Sequence, residues 1–177
     1  GDHVRYLPLA ADPEYFFPSP KGYNESGRDI DVSMIGARRA YRSEFCDAME
    51  REFEKTLFAF TMGLTFPRLR DIHQRSKVVI APVQDCDNNI PGSAWGCPCR
   101  TFEVPATMTY QVHVSRGGLN GVYPFAVSLP VLADTKANIG AWVDFIHGAL
   151  DMPKMRRVQA EMDYEYTMAN HLYEHRA

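Results

Sequence analysis

An α+β fold is the class the sequence predicts. Three observations support it: a long helical pattern in the first half, β-branched and alternating runs clustered in the middle, and two helical patterns at the end. The 177 residues suit one domain, with an arm over 1–30 and a folded unit over 31–177.

The arm is read from Pro8, Pro13, Pro18 and Pro20, each of which pushes the preceding residue toward extended backbone. Tyr6, Leu7, Leu9, Tyr15, Phe16, Phe17 and Tyr23 are interleaved with them. Aromatic side chains in such numbers need burial. Fixing each backbone residue costs roughly 1–2 kcal/mol, which that burial must offset. Tyr6, Tyr15, Phe16, Phe17 and Tyr23 are therefore the candidate anchors on a partner subunit.

From Met34 to Met62, Tyr41, Phe45, Met49, Phe53, Leu57 and Phe60 recur at steps of three and four, predicting one long helix stopped by Gly63 and Pro67. Leu69 to Gln74 adds a short helical turn. Lys77 to Ala81 is a β-branched strand ended by Pro82. Residues 84–100 read as a loop. Met108, Tyr110, Val112 and Val114 then alternate with polar residues, and Tyr123, Phe125, Val127 and Leu129 do the same. With the glycines at 117, 118 and 121 between them, these runs predict an antiparallel hairpin of 107–115 with 122–129. Amphipathic helices follow over 136–150 and 154–175, divided by Pro153.

Composition narrows the function. Apolar residues make up 45% of the chain and charged residues 23%, which excludes global disorder. The net charge of −3 argues against bulk nucleic-acid binding, leaving Arg38, Arg39 and Arg42 as a small basic cluster on a solvated helix face. No apolar run reaches the ~18 residues of a membrane span.

Chemistry-bearing residues gather at Cys86, Cys97 and Cys99. With His113 or His73 as a fourth donor they could hold zinc, although the C-x-C spacing departs from the usual knuckle. The stretch Ala94 to Arg100 resembles a thioredoxin active-site segment over seven residues. It has C-x-C in place of C-x-x-C, and Val104-Pro105 reads as the lead into a strand rather than a helix. His171 and His175 are spaced i,i+4 and suit a helix C-terminus. Asp85, Asp87, Asn88 and Asn89 lack the glycine and closing glutamate of a calcium loop. The glycines at 117–121 lack the Lys-Ser/Thr of a phosphate loop, and no Gly-x-Ser-x-Gly occurs.

With no catalytic constellation, the sequence favours a non-enzyme: an accessory subunit of a multi-protein assembly, docking through its arm and needing no cofactor. A start at Gly1 rather than Met suits a processed mitochondrial subunit. The alternatives are a metal-binding or thiol-dependent enzyme centred on the cysteine loop, and a viral or other self-assembling shell subunit.

Overall fold

The structure, a computed structural model, describes residues 9–36, 40–59, 63–81, 97–115, 118–129 and 135–176. Its elements in order are β1 (Ile30–Ile35), α1 (Ala40–Glu52), β2 (Thr56–Ala59), α2 (Phe66–Arg75), β3 (Ser76–Ala81) and α3 (Arg100–Ala106). Then come β4 (Gln111–Val114), α4 (Leu119–Val122), β5 (Ser128–Leu129), α5 (Thr135–Asp151) and α6 (Pro153–Asn170).

Strands and helices alternate, and the five strands form one sheet in the order β2-β1-β3-β4-β5. Every pairing is parallel, for example Val32 with Val78 and Ile80 with Val112. The fold is thus a doubly wound α/β sheet, not the α+β arrangement the sequence suggests.

The predicted helix over 34–62 is divided among three elements. Its first residues close β1, its middle forms α1, and Leu57 belongs to β2. The apolar steps through Phe45, Met49 and Phe53 do bury one face of α1. Leu57 continues that rhythm by coincidence of spacing, from a strand. The hairpin is also corrected. β4 and β5 run parallel, and the glycine-rich segment between them carries the short helix α4, with Gly118 at φ −81°. The return strand shrinks to Ser128–Leu129, and Tyr123 packs as a buried side chain after α4. Val104-Pro105 lies inside α3, not at the lead of a strand. Strand β3 and the two last helices lie where the sequence places them, with α6 ending at Asn170.

Side chains alternate between two cores. Val32, Met34, Val78, Ile80, Val112 and Val114 face α1 and α5, where Phe45 meets Trp142 edge-on with ring centroids 5.5 Å apart. On the other face Ile30 and Ile35 pack with Ile72 of α2, while Phe102 and Ala106 of α3 pack with Leu119, Tyr123 and Leu172. Ser33 and Ser76 are buried in adjacent strands, and Ser76 Oγ lies 2.7 Å from both Ser33 Oγ and the Ile72 carbonyl. Polar atoms inside a sheet are tolerated when paired in this way.

The described part of the arm lies on its own domain. Ala11 bridges to Leu172, its N–H donating to the His171 carbonyl at 2.8 Å. Arg70 and Gln74 of α2 donate to the carbonyls of Tyr15 and Phe17 at 3.1 and 2.6 Å.

Chain direction reverses once. From β1 the chain moves outward to β2, then crosses back to β3 and continues to β4 and β5. The switch point lies between β1 and β3. In open parallel sheets the ligand crevice forms outside the carboxyl ends of the strands at such a point.

Candidate functional site

A groove of about 210 Å³ lies at that position. Ile35 contributes the end of β1. Leu64, Phe66, Leu69 and His73 come from α2 and its approach, and Cys99, Arg100 and Glu103 from the start of α3. Pro67 in the first turn of α2 fixes the backbone where the missing N–H costs nothing. Ile35, Leu64, Phe66 and Leu69 give the groove apolar surface, and His73, Cys99, Arg100 and Glu103 give it polar surface.

Arg100 is held rather than loose. Its guanidinium donates to the Ile35 carbonyl, and its own carbonyl accepts from Gln111 Nε2 at 3.2 Å. A cation is thereby tied to the carboxyl end of β1. Burial pushes the Glu103 carboxyl up, and the Arg100 charge opposes the shift. Burial also pushes the Cys99 thiol up, reinforced by Glu103, so Cys99 lacks the low-pKa setting of a reactive thiolate. His73 is 1% exposed and neither ring nitrogen has a hydrogen-bond partner. Burial and the Arg100 charge lower its pKa to about 3, so the ring is neutral at physiological pH. Phe66, half exposed, forms the rim with Tyr15, the two ring centroids 4.9 Å apart.

A smaller cavity of about 120 Å³ lies at the opposite edge, between Arg28, Gln74, Arg75 and Thr107. It sits at the amino ends of the strands, away from the switch point.

The residues singled out by sequence scatter. Phe16 is buried in the domain's own second core, whereas Tyr15 and Phe17 remain partly exposed. The Tyr23 hydroxyl donates to Glu25 at 2.8 Å, and its ring carries the Arg28 guanidinium at 4.5 Å. Tyr6, Cys86, Arg38, Arg39 and the Asp85–Asn89 run lie outside the described residues, as does the side chain of Arg42. Cys97 is buried near Phe102, Cys99 opens into the groove, and His113 is buried on β4 beside Tyr123. Among the described residues no three His, Cys, Asp or Glu side chains converge as metal ligands. His171 Nε2 meets the Val122 carbonyl at 2.7 Å and its Nδ1 meets Arg176, a structural arrangement. No described helix is long and apolar enough to cross a membrane.

Sequence reasoning missed Arg100 and Glu103 as site residues. Their i,i+3 spacing was the available signal, hidden because Val104-Pro105 argued against a helix there.

No family model matches the chain, and neither does any curated protein. Solved structures do. Sucrose-phosphate synthase from Thermosynechococcus elongatus superposes with a TM-score of 0.67 at 14% identity, over 97% of this chain and 49% of that one. The C-terminal domain of a glycosyl transferase group 1 family protein, LpcC, from Francisella tularensis gives 0.62 at 10% identity, over 92% of this chain and 99% of that one. The chain therefore spans about half the length of the synthase and the whole of the LpcC domain. What is shared is the fold, a parallel sheet wound with helices that both enzymes carry. The expectation of a non-catalytic accessory or shell subunit is overturned by this likeness: the solved structures that share the fold are a synthase and a glycosyl transferase domain.

Proposed function

We propose that this chain is a glycosyltransferase domain that holds an activated sugar donor at the crevice over β1 and β3. The observation that carries the reading is the superposition on the whole LpcC C-terminal domain. It is supported by a groove at the switch point of the same sheet, where doubly wound folds take nucleotides.

Each groove residue has a task under this reading. Sugar transfer breaks the bond from the anomeric carbon to its leaving group, and negative charge grows on the departing oxygen. A fixed cation stabilises that charge, and Arg100, tethered to the end of β1, is placed to do so. Glu103 offers carboxylate oxygens to donor hydroxyls, such as a ribose diol, three residues further down α3. The apolar wall of Ile35, Leu64 and Leu69 excludes water from one side of the ligand.

Calorimetric titration with nucleoside diphosphates and their sugar derivatives tests the proposal. Saturable binding that Arg100→Ala weakens by about tenfold or more, roughly the worth of one charge-assisted contact, is the expected result. Failure of every such ligand to bind at millimolar concentration would remove the reading.

A further inference from the structure

The floor of the groove carries a group that the fold itself does not use. His73 lies seven residues along α2 from Phe66 at the rim, which at 1.5 Å per residue places it about 10 Å below. Its backbone is firmly engaged: the carbonyl accepts from Thr109 Oγ1 at 3.0 Å and from Arg28 Nη1. Its ring is not engaged, for both nitrogens are buried without a partner. Leaving a buried polar atom unmet costs about 1–3 kcal/mol, and an apolar residue at this position would avoid that cost.

The surroundings limit what can meet the ring. Ile35, Leu64 and Leu69 line the same groove with apolar surface, and Arg100 and Glu103 line it with charge. A phosphate belongs with the Arg100 cation, not with the imidazole of His73. A neutral imidazole offers one donor and one acceptor, which matches the polar edge of a flat heterocycle lying against the apolar residues of the groove. We propose that His73 is a specificity-determining residue that hydrogen-bonds the polar edge of the donor's nucleobase and so selects among bases. This inference rests on the donor-site reading above.

Base selection separates this role from a structural one. Wild type and His73→Phe are titrated with UDP, CDP, ADP and GDP, with inorganic pyrophosphate as a base-free probe and a thermal melt as the check on folding. The expected result is a preferred base in the wild type, a loss of tenfold or more for that base in His73→Phe, and pyrophosphate affinity within twofold. His73→Gln, which keeps a donor and an acceptor at different positions, should change the ranking of bases, and it serves if His73→Phe does not fold. An unchanged ranking and unchanged affinities in the folded variants would overturn the role of His73 while leaving the donor site intact. Binding of pyrophosphate with no base preference in the wild type would also overturn it. Absence of binding by every probe would overturn the donor site and the inference together.

Discussion

Arg28 and Thr109 are 81 residues apart in sequence and joined by a 3.1 Å hydrogen bond from Nη1 to Oγ1. The same guanidinium donates to the carbonyls of Ser76 and Met108 at 2.5 and 2.7 Å and lies over the Tyr23 ring. One buried side chain thus ties the end of the arm to the start of β3 and to the turn after α3. Met108 in that turn has a positive φ of 55°, which a non-glycine residue adopts at a cost.

Replacing Arg28 by Met keeps the apolar stem but strips donors from buried carbonyls. A loss of about 2–4 kcal/mol in denaturant unfolding is expected. A loss under about 0.5 kcal/mol would show that the arm is not fastened here.

Trp142 fills the space between α1, α5 and the sheet, fully buried against Phe45. Trp142→Ala should cost about 3–5 kcal/mol, read as a shift in the denaturant midpoint at unchanged slope. An unaltered midpoint would take α5 out of the core.

Asp163 is 4% exposed on α6, with Gln159 Nε2 donating to it at 3.0 Å. Burial raises its carboxyl from 3.8 to about 7. The folded state therefore holds a proton that the unfolded chain has already released across that window. The Asp163 contribution to stability should fall by about 4 kcal/mol as pH rises from about 4 to about 7 and then level off, while buried His73, with its lowered pKa, contributes in the opposite direction over much of that range. The stability difference between Asp163→Asn and wild type should therefore grow in the variant's favour by about 4 kcal/mol across that range, leaving the variant the more stable at pH 8. A variant whose pH profile matches the wild type would refute the assignment.

Glu103→Gln tests the donor site without disturbing the core. Because burial already disfavours the charged carboxylate, the melt should be unchanged or slightly higher. Nucleoside diphosphate affinity should fall about tenfold, the difference between a charged and a neutral acceptor. Equal affinity would place the ligand elsewhere.

Much of the helical content was legible in the sequence. The α1 face of Phe45, Met49 and Phe53, the strand at Lys77–Ala81 and the two last helices all follow from apolar spacing. Strand β1 was not legible. It is buried on nearly every residue, as parallel strands are, so Val32 to Ile35 shows no alternation to distinguish it from a helix end. Alternation misled at β4 for the opposite reason. Thr109 and Gln111 look solvent-facing, but both are buried and bonded to the His73 and Arg100 carbonyls. Polar residues that point into a second helical layer read like an exposed face. The site was hidden by the same topology: its lining comes from residues 35, 64–73 and 99–103, which the crossovers from β2 back to β3 and from β3 to β4 bring together.

The most direct test of the donor site is a backbone amide NMR titration of the chain with a nucleoside diphosphate sugar such as UDP-glucose. The account predicts saturable shifts concentrated at Ile35, Leu64 to Leu69, His73 and Cys99 to Glu103, around the carboxyl end of β1. Shifts confined to the opposite edge, at Arg28, Gln74, Arg75 and Thr107, or no shifts with any such donor, would contradict it.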